Sequence, residues 1–553
     1  MKPNKWWSES VIYQIYPKSF YDSDADGVGD IRGIIHKLDY IKTLGTDIIW
    51  LSPINTSPFI DNGYDISDYY SISPVFGSMN DFDELLAEAN NRQIAIMLDI
   101  VVNHTSDQHY WFQEAKKSRH NKYRNYYIWR DGVNNGAPND LSSNFGGSAW
   151  EYDETTGQHY LHFYSKQQPD LNWENPEVRK EIWAMMNFWI NKGVKGFRLD
   201  VIDLIGKIPD LEIKENGPQL HAYLQEMHRN VLDGKDIVTV GETWGATVDN
   251  ASLYCDPRRK ELDMIFQFEH MQLDKIAGKS RWDIKALDLY ELKDVMSRWQ
   301  GALQDNGWNS LFWNNHDLPR IVSRWGDDAD CRIASAKMLA TLLHGMKGTP
   351  YIYQGEEIGM TNFKPRTRND YIDVETKGII RERLASGFDE AALDRALYLK
   401  ARDNARTPVQ WDASPNAGFT AGIPWMKLNE NYPFINVQQC LDDKNSVFYH
   451  YQKLIALRKT EPLFITGEYE LIYEDDPDIF AYYRNGTDES LLIICNFHNV
   501  TTQFTLTDNN IHECSCLLSN YQKPEGDVSR LTLRPYEAII YKIKYNGVND
   551  VQS

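Results

Sequence analysis

The 553 residues suffice for one large core with one or two smaller domains, and a 42% hydrophobic fraction with 17 Trp, 32 Tyr and 21 Phe excludes general disorder. A formal net charge of −21 argues against binding to nucleic acid or to an anionic membrane. The amino terminus, MKPNKWWSESVIYQIYP, has no signal-peptide pattern and no run reaches membrane-span length, so we expect a cytoplasmic protein with no required protein partner and with Cys255, Cys331, Cys440, Cys495, Cys514 and Cys516 as free thiols.

In chain order, VIYQIYP (11–17) reads as a first strand, followed by a loop rich in Gly and Asp. HKLDYIKTLG has helical spacing and stops at Gly45; IIWLSP (48–53) is a second strand, DFDELLAEANNRQ an amphipathic helix and IAIMLDIVVNH (94–104) a third strand. This is the βαβ grammar of a parallel sheet with helices outside. It breaks between about 105 and 175, where polar and aromatic segments such as YYIWR and NFGGSAW predict a folded insert. The alternation resumes with the helix VRKEIWAMMNFWINKG, the strand GFRLD (196–200), the helix GPQLHAYLQEMHRNVL, and the strands IVTVGE (237–242) and ELDMIFQFEH. LYELKDVMSRWQGAL is helical, SLFWNNHD (310–317) the seventh strand, ASAKMLATLLHGMKG a helix and TPYIYQGEEIG the eighth strand. Residues 362–432 form a long elaboration, and KNSVFYHYQKLIALRKTEP holds a final helix. EYELIYE, IFAYYRN, LLIICNF, TTQFTLT, SRLTLRPY and AIIYKIKY then predict a small antiparallel domain. The expectation is an α/β chain: a (β/α)₈ TIM barrel over 1–104 and 175–465, a B domain at 105–174 after the third strand, and a C-terminal β domain over 466–553.

Four strands end in polar groups: Asp99, Asn103 and His104; Arg198 and Asp200; Glu242; His316 and Asp317. In a parallel barrel such ends converge on one rim, where chemistry is done. On GFRLD alone, an Arg–Asp pair could equally be a satisfied buried ion pair. Three carboxylates at neighbouring strand ends, Asp200, Glu242 and Asp317, suit acetal hydrolysis, which needs an ionised nucleophile and a protonated acid. An Arg beside the nucleophile keeps it ionised, and the two His can bond sugar hydroxyls. A metal enzyme is the competing reading, but no HExxH is present. Tyr64, Phe145, Phe163, Trp244 and Trp313 suit the apolar faces of sugar rings; each would also serve as core.

DSDADGVGD (22–30) resembles half of a calcium loop, with Asp22, Asp24, Asp26 and Asp30 at alternate positions and the Val28 carbonyl as a further donor. Gly33 stands where an EF-hand has its bidentate Glu, and an Asx-rich turn without metal is the alternative. No GxxxxGK or strand-bound GxGxxG supports a phosphate or dinucleotide site, and no cofactor is expected in catalysis.

QIYPKSF, DNGYD, DIVVNHTS, GFRLDVID, GETW, NNHD and RDNARTPVQW, in this order, resemble the alpha-amylase superfamily, specifically its oligo-1,6-glucosidase and dextran glucosidase branch. The resemblance covers essentially the whole chain. It implies a barrel, an inserted B domain, an antiparallel C-terminal domain and a retaining double displacement. Asp200 would be the nucleophile, Glu242 the acid/base and Asp317 the transition-state stabiliser, with Arg198, His104 and His316 supporting the reacting ring. Asp61, Tyr64 and Arg402 would close the pocket on the non-reducing-end glucose, making attack exo, while Trp244 and Glu375 would lie on the acceptor side. Residues 22–30 match a structural calcium loop of the family.

Val201 after the nucleophile is similar to the α-1,6-specific members, so the implied partners are isomalto-oligosaccharides or dextran chain ends. Trehalose-6-phosphate hydrolases share the valine but carry Met-Ser-Ser after the acid/base, where this chain has Thr243, Trp244 and Gly245. Lys364, Arg366 and Arg368 are extra basic residues that could meet a longer substrate, a phosphate or solvent. Sucrose isomerases and a catalytically silent sugar-binding protein on the same barrel complete the alternatives.

Overall fold

The structure, a computed structural model, describes residues 5–506 and 510–545. The first four residues of the amino-terminal stretch, the end of TTQFTLT and the last eight residues of the expected C-terminal domain lie outside the described residues. Eight parallel strands form the centre: β1 (Ile12–Ile15), β2 (Ile48–Leu51), β3 (Ala95–Val101), β4 (Gly196–Asp200), β5 (Val238–Glu242), β6 (Met264–Phe266), β7 (Ser310–Leu311) and β8 (Thr349–Tyr353). Their order is β6-β5-β4-β3-β2-β1-β8-β7, and a parallel bridge between Ile265 and Asn309 joins the two ends into a barrel.

The strands are short, buried and rich in Ile, Val and Leu, as a sheet covered on both faces requires. Gly196 opens β4 between Met97 and Val238, and a Cβ there would lie 2.8 Å from the Val238 side chain and 2.9 Å from that of Met97. Outside lie amphipathic helices with strong end signals. Ser78 and Asp81 cap Met79–Asn91 reciprocally, and Pro176–Lys192 starts with Asn175 as cap and Pro at its first position and ends at Gly193 in the left-handed region.

The barrel strand count and the C-terminal β character match expectation; several details differ. HKLDYIKTLG contributes to two helices, Ile31–His36 and Leu38–Leu44, rather than one. The elaboration at 362–432 contains helices Val374–Ala385 and Glu390–Lys400, which pack a separate core of Phe363, Tyr371, Leu393 and Leu397. The insert carries a three-stranded sheet, Trp129–Arg130, Gln158–Leu161 and Trp150–Asp153, whose apolar core takes in Val201 and Leu204 from the loop after β4. A five-stranded and a three-stranded antiparallel sheet follow residue 467, and their longest strand, Ile511–Ser519, is absent from the sequence expectation. They dock on helix Arg332–His344, where the Tyr482 hydroxyl donates to the Leu342 carbonyl (2.7 Å) and Arg484 to that of Gly345 (2.9 Å).

Candidate active site

Strand register explains the centre of the rim. Arg198 on β4 lies opposite Asp99 on β3, and alternation sends Arg198 and Asp200 to one side and Phe197 and Leu199 to the other. Only 1% exposed, Arg198 makes three charge-assisted contacts: Nη1 with Asp99 (2.9 Å) and Asp200 (2.6 Å), Nη2 with Glu242 (2.6 Å). One guanidinium therefore serves three carboxylates. Glu242 also accepts the Val201 N–H (3.1 Å) on Oε2 and the Trp244 indole N–H (3.0 Å) on Oε1. Val201 presents that N–H from a left-handed conformation, φ 36°, unusual for a β-branched residue.

Burial raises the Asp200 carboxyl well above the usual carboxylate range; Arg198 opposes this, while Glu242 and Asp99 reinforce it. Asp99 is raised for the same first reason, against Arg198 and His316. Asp99 and Asp200 share one guanidinium nitrogen, so their titration belongs to the pair.

Asp317 behaves in the opposite way. Burial disfavours its charge, yet His316, Arg402 and Arg406 outweigh burial and hold it well below the usual range. Arg402 approaches at 3.2 Å and Arg406 at 2.8 Å; His316 Nε2 lies 3.0 Å from Oδ2, off the alignment of a hydrogen bond. Arg402 also meets Asp373 (2.9 Å), Glu375 (3.4 Å) and, more distantly, Asp61 (3.5 Å). Behind this loop, buried Glu356 receives the Asn314 carboxamide and the Tyr451 hydroxyl (2.7 Å). Burial lifts Glu356 to about 7, against those two hydrogen bonds.

His104 faces the insert. Its Nε2 lies 3.1 Å from the Tyr64 carbonyl and 3.2 Å from the Gln168 carboxamide, which also donates to Asp61 (3.2 Å). Tyr64 stacks on His316 and its hydroxyl donates to Asp99 (2.9 Å). Phe145 stands edge-on to Tyr164 with the Arg402 guanidinium 5.3 Å from its ring centre. Trp244, 40% exposed, stacks on Phe268 at 3.9 Å. The structure thus brings Asp61, Tyr64, His104, Phe145, Arg198, Asp200, Val201, Glu242, Trp244, His316, Asp317, Glu375 and Arg402 around one connected polar network. Phe163 and Trp313 are fully enclosed: Phe163 packs in the insert's core, and Trp313 donates to the Leu339 carbonyl (2.8 Å).

Sequence reasoning missed Gln168, Asp373, Arg406 and Lys207. Arg406 had a signal, since it follows Arg402 by four residues and shares its face across one helical turn. Lys207 is buried and bonds Asn103 (2.6 Å) and Asp170 (3.0 Å), tying the insert to the end of β3; a lone Lys in LIGKIP gave no clue to this.

In the 22–30 loop, carboxylate oxygens of Asp22, Asp24 and Asp30 come within 4.8 Å of one another. These hard oxygen donors fit a divalent cation such as Ca²⁺. Asp26 stands outside that group, its Oδ1 accepting the Val28 N–H at 2.7 Å. The loop's Asx turns hold Asp22 through the N–H groups of Asp24, Ala25 and Gly27. Of the basic trio, Arg366 pairs with Glu430 and Arg368 with Glu390 and Asp394. Among the described residues no helix is long and apolar enough to cross a membrane.

Known proteins bear directly on this geometry. The family described as alpha amylase, catalytic domain, matches residues 14–467, and the alpha-amylase SusG C-terminal domain matches 479–540. An oligo-1,6-glucosidase of Halalkalibacterium halodurans is 54% identical, the match covering 97% of this chain and 99% of that protein. The crystal structure of Bacillus licheniformis trehalose-6-phosphate hydrolase superposes with a TM-score of 0.94 at 49% identity, over 98% of this chain and 100% of that one. Isomaltulose synthase from Klebsiella superposes at 0.95 with 43% identity, over 98% and 100%.

Proposed function

The chain belongs to the alpha-amylase family, and from that footing we propose that it is a retaining, exo-acting α-1,6-glucosidase of isomalto-oligosaccharides or dextran ends that releases α-glucose. The observation carrying this reading is the single Arg198 fork that holds Asp200 on one nitrogen and Glu242 on the other. A shared guanidinium favours the close carboxyl spacing of retaining enzymes, about 5–5.5 Å, over the ~6.5–9.5 Å gap that inverting enzymes leave for a water.

Asp200 attacks the anomeric carbon as the bond to the leaving oxygen breaks, and Glu242, as the acid, delivers a proton to that oxygen. Water then attacks the glycosyl ester, Glu242 takes its proton, and the sugar leaves with configuration retained. Asp317, kept ionised by its cations, stabilises the positive charge that develops on the ring. His104, His316 and Arg198 support the ring, and Tyr64 and Phe145 offer it apolar faces. Asp61 and Arg402 cap the glucose end, which supports attack from chain ends. Val201, Trp244 and Glu375 border the acceptor side.

The α-1,6 preference draws on Val201 and on the oligo-1,6-glucosidase likeness. A trehalose-6-phosphate reading would use the basic trio, but Arg366 and Arg368 already face carboxylates. Asp22, Asp24 and Asp30 would hold a structural Ca²⁺ remote from the chemistry. A cytoplasmic location suits the six unpaired cysteines. The test is kcat/KM on isomaltotriose, sucrose, maltose and trehalose 6-phosphate side by side with products identified. Preference for isomaltotriose, giving glucose and isomaltose, supports the reading; preference for trehalose 6-phosphate, or isomaltulose from sucrose, overturns it.

A further inference from the structure

Behind Glu242 lies a buried carboxylate that the scheme above leaves unused. Asp203 sits in the turn Ile202–Leu204 directly after β4 and is fully enclosed. Its Oδ2 accepts the Gly245 N–H (2.8 Å) and its carbonyl accepts the Asn216 N–H (3.0 Å). Its Oδ1 has no hydrogen-bond partner among the described residues. Gly245 is clamped from the other side: Asn216 Nδ2 donates to its carbonyl (2.7 Å), and a Cβ at 245 would lie 2.5 Å from that nitrogen and 2.9 Å from the Glu215 carboxyl carbon. Residue 245 therefore has one position, and Trp244 is its neighbour. The Trp244 indole is the donor that holds Glu242 Oε1.

We propose that Asp203 is a positioning residue for proton transfer, fixing through Gly245 the indole that orients Glu242. The proposal rests on the glycosidase reading of Glu242. The enclosed Oδ1 without a partner is costly to keep, so the group is held at this place against a penalty. Burial pushes Asp203 up to about 7, with Glu215 and Glu242 adding to the rise and the Gly245 N–H opposing it; Tyr164 and Tyr254 also lie within its field. A neutral side chain that still accepts the Gly245 N–H should therefore serve in its place.

The experiment compares full-length wild type, Asp203→Asn, Asp203→Ala, Trp244→Phe and the Asp203→Ala/Trp244→Phe double variant on isomaltose and on p-nitrophenyl α-glucoside, with melting curves for each. A sugar alkoxide needs a proton to leave, whereas p-nitrophenolate does not. Loss of acid assistance should lower kcat about tenfold on isomaltose and less than about threefold on the aryl glucoside for both Asp203→Ala and Trp244→Phe. Asp203→Asn should stay within about twofold on both substrates, and the double variant should fall no further than Trp244→Phe alone, because both act on one link. Should Asp203→Ala melt below assay temperature, Asp203→Leu, close in shape and without an acceptor, is read the same way. Equal losses on the two substrates, or multiplicative losses in the double variant, overturn the proposal alone. Wild type that leaves both substrates intact overturns the glycosidase reading and this proposal with it.

Discussion

The ring of Tyr64 lies flat against that of His316, with planes 4° apart and centroids 5.1 Å apart. The same side chain reaches Asp99 through its hydroxyl, so one residue joins the pocket wall to the carboxylate cluster. The two contacts separate by mutation. Tyr64→Phe should keep the stack and cost about 1–2 kcal/mol of stability from the lost bond to a buried carboxylate, with kcat/KM on isomaltotriose reduced only a few-fold. Tyr64→Ala should lose on the order of 100-fold in kcat/KM. Equal activity of the two variants would remove the ring as a substrate platform.

Asp200→Asn should abolish at least about 10³ of turnover, since an amide cannot form the glycosyl ester. Its melting temperature should hold or rise, because three carboxylates compete for one cation in the wild type. Turnover retained by a folded Asp200→Asn would transfer the nucleophile's role elsewhere.

Glu356 makes stability depend on pH. Its folded value of about 7 stands above its ordinary 4.5, so its contribution is fully present below the unfolded value and is lost as pH rises through the folded one. Denaturant melts from pH 4.5 to 8 should show wild type losing on the order of 3 kcal/mol relative to Glu356→Gln across that window. Parallel curves for the two proteins would mean that Glu356 ionises normally.

Removing a divalent ion with EDTA should lower the melting temperature of the wild type while the chemistry, measured below that temperature, is unchanged. Asp24→Asn should blunt the response, because Asp24 supplies one of three converging carboxylates. An identical melt with and without chelator, together with no metal in the purified protein, would leave the loop as a set of Asx turns.

Much of the rim was legible because GFRLD, IVTVGE and SLFWNNHD are apolar runs that finish in polar groups and carry motifs similar to a known family's; the expected strand 310–317 itself stops at Leu311, so His316 and Asp317 stand on the loop beyond it. Asp373 and Gln168 reach the same network from segments of no regular pattern, and only folding brings residues this far apart in sequence together. Helices Val374–Ala385 and Glu390–Lys400 escaped notice because their apolar positions serve a small local core rather than the barrel. The strand Ile511–Ser519 was hidden by its polar, Cys-containing sequence; it lies at the sheet's edge and buries little of its length.

Val201 sets a direction for laboratory evolution. A β-branched residue held at φ 36° costs about 1–3 kcal/mol that Gly or Asn would recover. Those residues would forfeit the burial of the valine side chain in the insert's apolar core, a stabilisation of similar size, so selection for heat tolerance alone should pull only weakly on position 201. Selection that also scores linkage preference should hold the valine in place, and the population that keeps it reports how much selectivity that backbone turn is worth.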